Sequence, residues 1–102
     1  MPLVLVAALY IHDGREAEFE QFESAAARIM KRYGGGIERR IRCAPSPEGT
    51  QPYEVHIDTF PDAQAFERYR ADEELRGLAE MRGRAIRETR VWTGRDVDLS
   101  IP

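Results

Sequence analysis

Pro52-Tyr53-Glu54-Val55-His56-Ile57-Asp58-Thr59-Phe60 alternates between apolar and ionisable side chains. Tyr53, Val55 and Ile57 are apolar, whereas Glu54, His56 and Asp58 all titrate. Successive side chains of a β-strand point to opposite faces, so the stretch reads as a strand with one greasy and one titratable face. Residues sharing a face repeat about every 7 Å, which sets three acid/base groups in a row. Phe60-Pro61-Asp62 closes the strand and caps a second helix.

Upstream, residues 44–51 hold two prolines and a glycine and read as a loop. Residues 37–43 alternate Ile37, Arg39, Ile41 and Cys43 against Glu38, Arg40 and Arg42, a charged strand suited to a sheet edge. Gly34-Gly35-Gly36 ends the helix before it, because glycine takes left-handed backbone angles at little cost. That helix carries Phe19, Phe22, Ala26, Ile29, Met30 and Tyr33 at threes and fours, and Asp13 with Glu16 forms a capping-box pattern at its start. Leu3–Ile11 is the first strand. Downstream, Phe66 and Tyr69 open the buried face of the second helix, Ala71-Asp72 interrupts it, and Leu75, Leu78, Met81, Ala85 and Ile86 resume the stripe to Glu88. Residues 89–94 form a short last strand. The expected domain is 1–94, with 95–102 a polar tail.

The order is βαββαβ, the split-βαβ or ferredoxin-like pattern of the α+β class: one four-stranded sheet with helices on one face. Strand one is apolar on both sides, with Leu3, Leu5, Leu9 and Ile11 one way and Val4, Val6, Ala8 and Tyr10 the other. Helices cover only one side, and a second copy of the sheet is the simplest cover for the other. A homodimer is therefore expected.

Composition narrows the function classes. The chain has 102 residues, enough for one domain, and 42% hydrophobic with 32% charged residues fits a folded globular protein. A net charge of −3 leaves no cationic excess for phosphates, so nucleic acid is not expected as a partner. The single cysteine, Cys43, has no internal disulfide partner, which fits a cytoplasmic setting. The apolar run at residues 3–9 is too short to span a bilayer and lacks signal-peptide flanks, so no membrane partner is expected.

Several strings resemble the dimeric α/β-barrel superfamily, and within it the uncharacterised bacterial family DUF1330. They are Gly14-Arg15-Glu16-Ala17-Glu18-Phe19, Arg32-Tyr33-Gly34-Gly35, Glu54-Val55-His56 with Phe60-Pro61, and Phe66 through Tyr69-Arg70-Ala71-Asp72. Arg82, Ala85-Ile86 and Thr89-Arg90-Val91 extend the likeness to about Gly94. The resemblance implies sheets pairing as a dimeric α/β barrel and a small-molecule pocket between the sheet and its helices or loops. The superfamily includes cofactor-free oxygenases, muconolactone-type isomerases, haem proteins and ligand-sensing domains. The narrower family implies no activity, so no catalytic role is carried over.

Strand parity places the even-numbered strand residues together on the face away from the helices: Tyr10, His12, Glu38, Arg40, Arg42, Glu54, His56, Asp58, Arg90 and Trp92. On one reading His56 is a general base oriented by Asp58 or Glu54, and Arg40 and Arg42 hold a ligand carboxylate. Tyr10, His12, Glu54 and Trp92 would complete the ligand site. On the other reading the charges form cross-strand ion pairs that build the sheet and the dimer rim. The function expected is binding or transformation of a small organic molecule beside the sheet; a non-catalytic sensing module and a purely structural dimer are the alternatives. With two histidines and no His-x3-His or Cys-x2-Cys spacing, no metal and no cofactor is expected. Cys43 reads as a buried, inert thiol. Arg82, Arg84, Arg87 and Arg90 read as a solvated face paired with Glu80 and Glu88.

Overall fold

The computed structural model describes residues 1–100. Four strands, β1 (Leu3–Ile11), β2 (Gly36–Arg42), β3 (Glu54–Phe60) and β4 (Ile86–Gly94), make one sheet in the order β2-β3-β1-β4. Every neighbouring pair is antiparallel, and charged β2 is indeed an edge. Helix α1 (Glu16–Lys31) follows β1, and the segment after β3 forms α2 (Ala63–Arg70), α3 (Glu73–Gly77) and α4 (Ala79–Ala85).

Helix α1 buries the expected stripe, with Phe19 and Ile29 wholly enclosed. Its start differs from the capping-box expectation. Arg15 occupies the N-cap without a side-chain bond, and Glu16 and Glu18 in the first turn complement the helix dipole instead. At the other end Gly34 sits at φ +75° and the Gly35 N–H donates to the Met30 carbonyl at 3.0 Å. Gly35 has a second reason to be glycine: a Cβ there would lie 2.4 Å from Cε1 of Phe60. The Phe60 ring is buried core, so Gly35→Ala is expected to cost about 2–3 kcal/mol by overpacking, read as a lower midpoint of urea denaturation.

The interruption expected at Ala71-Asp72 is present. The Asp72 carboxylate caps α3 through the Leu75 N–H at 3.0 Å, accepts from the Tyr33 hydroxyl at 2.5 Å and pairs with Arg32 at 3.1 Å. These bonds fasten the short helices to the end of α1 and hold the Asp72 carboxyl well below the usual range, at about 2. The helical stripe stops at Ala85, not at Glu88. Pairing with the full length of β1 wins over helical periodicity: Ile86 lies opposite Ile11 and extends β4 three residues before position 89.

The face assignment from parity holds for β1 and β4, whose Tyr10, Arg90 and Trp92 lie on the outer face, and is overturned for β3 and β2. On β1, Leu5, Ala7 and Leu9 face the helices, and their partners on β3 are Asp58, His56 and Glu54. The titratable row therefore points into the helix-covered layer together with Phe60, while Val55 and Ile57 take the outer face. A bulge at Glu38 sets Ile37 opposite Asp58 and Arg40 opposite His56, so Arg40 and Arg42 share the inner face. The outer face carries Val4, Val6, Ala8, Tyr10, Ile41, Val55, Ile57 and Trp92, with Trp92 57% exposed. Cys43 lies just beyond β2 and is half-buried, not enclosed as expected. Arg84 pairs with Glu80 and Glu18, and Arg90 with Glu88, as a solvated charged surface should. Among the described residues no helix is long and apolar enough to cross a membrane.

Candidate functional site

The inner row of β3 meets α1 at a buried chain of charges. Glu54 is 1% exposed and accepts from Arg40 Nε at 2.7 Å and from Arg42 Nη2 at 2.7 Å. Both arginines also reach Glu20 on α1, at 3.1 Å each through Arg40 Nη1 and Arg42 Nη2. The guanidinium of Arg42 lies over the Tyr53 ring at 4.3 Å, and Tyr53 meets Phe19 edge-on. This bracket is built from β2, α1 and the start of β3. Burial raises the Glu54 carboxyl, but the two arginines and His56 outweigh it and hold the group at about 2.

Beyond Glu54 the charge chain continues inward. His56, 2% exposed, contacts the Glu54 carboxylate through Nε2, and its Nδ1 is 3.6 Å from Glu23 Oε2 on α1. Burial pushes the His56 imidazole below its ordinary value, against the opposing pull of Glu54. A neutral ring beside an ionised Glu54 carries its proton on Nε2, which leaves the Nδ1 lone pair toward Glu23. Glu23 is raised to about 8 by burial and by the carboxylates of Asp58 and Glu54, and Asp58 is raised to about 7 by burial. Near neutral pH Glu23 is chiefly a neutral acid, and at 3.6 Å it faces that lone pair without a hydrogen bond to it. Asp58 Oδ1 is buried without a hydrogen-bond partner among the described residues. An unpaired buried acceptor of this kind costs roughly 1–3 kcal/mol.

Glu23, His56 and Asp58 line one cavity of about 370 Å³ between the sheet and the helices. Much of the rest of its lining is apolar and aromatic, with Phe22 and Met30 from α1, Phe60 from β3, and Phe66 and Tyr69 from α2, and exposed Arg70, Arg76 and Arg82 join it from the short helices. A cavity of a few hundred Å³ with apolar walls and a few convergent polar groups is the usual form of a small-molecule site. Burial in the same layer pushes the Tyr69 phenol well above its ordinary value, so its hydroxyl stays protonated. Among the described residues no group of three or more His, Cys, Asp or Glu side chains is arranged to hold a metal ion.

Of the residues singled out by parity, Glu54, His56, Asp58, Arg40 and Arg42 come together, on the inner face. Arg40 and Arg42 direct their donors to Glu54 and Glu20. Tyr10 and Trp92 lie on the outer face, away from this group, and Tyr10 is flanked by the guanidiniums of Arg87 and Arg90 at 5.3 and 5.6 Å. His12 is exposed beyond the end of β1. Glu38 is exposed at the bulge. Glu23 was not anticipated, yet a signal existed: it lies four residues after Phe19 and three before Ala26, a charge inside the apolar stripe.

No family model matches the chain, and no curated protein matches it. Solved structures do. RPA0582, a protein of unknown function from Rhodopseudomonas palustris, is 16% identical in its methylated form and superposes with a TM-score of 0.81 over 98% of this chain and 84% of its own. SnoaB, a cofactor-independent oxygenase from Streptomyces nogalater, is 19% identical with a TM-score of 0.72, covering 97% of this chain and 96% of its own. An uncharacterized NIPSNAP domain protein from Burkholderia xenovorans is 17% identical with a TM-score of 0.69, covering 98% of this chain and 99% of its own. At such identities the likeness is one of fold: the chain has an α+β, ferredoxin-like fold, a four-stranded antiparallel sheet with its helices on one face.

Proposed function

We propose that the protein is a homodimer that takes a small, largely apolar organic molecule into the cavity between sheet and helices and moves a proton to or from it through His56. The observation that carries this reading is the convergence of Glu23, His56 and Asp58, all buried, on one cavity whose other buried lining residues are apolar or aromatic. Core packing alone gives no reason to bury three titratable groups there, and Asp58 Oδ1 has no partner among the described residues to justify its burial. In the proposed step the Nδ1 lone pair of His56 takes a proton from an acidic C–H or O–H of the bound molecule. The electron pair of that bond stays on the substrate, and the Glu54 carboxylate stabilises the imidazolium formed at Nε2. Arg40 and Arg42 act by positioning Glu54, and Asp58 bonds the ligand. The likeness to SnoaB adds only that a cofactor-independent oxygenase is built on this fold. A narrower kinship with the DUF1330 family rests on the local strings alone.

Deuterium incorporation tests the step. Aryl ketones and 1,3-diketones incubated with the protein in D2O are expected to exchange their acidic C–H faster than in buffer, and His56→Ala is expected to abolish the gain. Binding without exchange would favour a non-catalytic binding module. Neither binding nor exchange would leave the charges as assembly elements.

The dimer is carried by the outer sheet face. Val6, Ile41 and Trp92 are large, exposed and aligned in register with Val55 and Ile57. An apolar patch of this kind, flanked on the same face by Arg39 and Arg90, is covered most simply by its own copy. Replacing Val6 with Asp is expected to shift sedimentation at micromolar concentration from dimer to monomer; a monomeric parent protein would refute this assignment.

A further inference from the structure

The cavity has a second set of charges that the proton step does not use. Arg70 at the end of α2, Arg76 in α3 and Arg82 in α4 all line it, and all are exposed. Exposed arginines that line an apolar cavity lie at its mouth, where such side chains lay their stems along the wall and keep their guanidiniums in water. They are lightly engaged compared with the other lining charges. Arg70 pairs with the exposed Glu67 at 3.2 Å and lies over the Phe66 ring at 5.6 Å, and Arg82 donates to the Thr89 hydroxyl at 2.7 Å. Among the described residues Arg76 makes no ion pair, whereas Arg28, Arg32, Arg40, Arg42, Arg84 and Arg90 each hold a carboxylate. The buried floor is the reverse, with the acids Glu23 and Asp58 beside His56. A ligand anion would lose its hydration at the buried floor, where no cation faces it, and is attracted at the mouth.

We propose that Arg70, Arg76 and Arg82 form an anion subsite at the cavity mouth, and that the ligand is an organic acid with an apolar, ring-bearing body. Its body lies against Phe22, Phe60, Phe66 and Tyr69, and its carboxylate stays at the mouth in the reach of the guanidinium forks. This moves carboxylate recognition from Arg40 and Arg42, which are held by Glu54 and Glu20, to the short helices. The subsite rests on the cavity being the binding site.

Isothermal titration of the native protein with 3-phenylpropanoate and with its uncharged amide, at low salt and millimolar ligand, tests the subsite. Nuclear magnetic resonance of the labelled histidine rings is followed in parallel, with exposed His12 as internal control. The acid is expected to bind about tenfold more tightly than the amide, as a charge-assisted contact should. Arg76→Gln and Arg82→Gln should each remove several-fold of the acid's affinity and leave the amide's unchanged. Both compounds should shift the His56 signals and not those of His12. Equal affinities with both compounds shifting His56 would overturn the subsite and leave the cavity reading intact. An acid advantage that survives both substitutions would overturn the subsite as well. If neither compound perturbs His56, the cavity reading falls and the subsite with it.

Discussion

Replacing Glu54 with Ala is expected to destabilise the protein by about 2–4 kcal/mol at neutral pH, the largest loss of any single change in the charge chain. Among the described residues Glu54 alone binds Arg40, Arg42 and His56 at once. Its removal leaves a buried imidazole N–H without an acceptor and two guanidiniums sharing Glu20. The arginines are themselves more than a third exposed, so water compensates part of the loss and the value stays below that of a fully buried pair. The effect has a defined pH window. The folded carboxyl, at about 2, lies below its ordinary 4.5, so the stabilisation is complete above about pH 4.5 and is lost as pH falls through 2. Urea denaturation of parent and variant should therefore diverge at neutral pH and converge in acid. A difference below about 1 kcal/mol at neutral pH would show that the bracket is not organised around Glu54.

Glu23→Gln is expected to act with the opposite sign. Its carboxyl is raised from 4.5 to about 8, so the folded protein keeps a proton that the unfolded chain has released. Between those two values the parent loses stability as pH rises, because burying an ionised Glu23 is unfavourable. Glutamine has the same shape and no charge to bury. The variant should match the parent below about pH 4.5 and become more stable by on the order of 2–4 kcal/mol above about pH 9. A stability change that does not vary with pH would contradict the raised carboxyl.

The architecture was legible because its signals are periodic. β1, the α1 stripe, the break at Asp72 and the alternation of β3 all follow from spacing and caps. The orientation of β3 was legible too, but in one residue that the alternation of charges obscures. Phe60 shares parity with Glu54, His56 and Asp58, and a large aromatic at the end of a row belongs in the core. Parity alone says that two faces differ without saying which one the helices cover. The bulge at Glu38 then shifts β2 by one residue, and no turn residue or glycine marks it. Because the bulge leaves Arg40 and Arg42 inside, charges suited to a solvated edge instead close over Glu54. The α4–β4 boundary was missed for a different reason. Ile86 to Glu88 fit helical spacing, and only the partner strand β1 decides otherwise. Glu23 was recoverable as a charge inside an apolar stripe, but its partner His56 lies 33 positions away in the chain and only the fold joins them.

The central claim is that His56 is a neutral, oriented base inside the cavity, its proton held on Nε2 by ionised Glu54. Titrating the histidine ring signals by nuclear magnetic resonance reads both the charge and the tautomer directly. The expected result is a His56 ring protonated on Nε2 alone at neutral pH, with a midpoint below the ordinary value of about 6.5. A His56 that titrates at or above that value, or carries its proton on Nδ1, would contradict it.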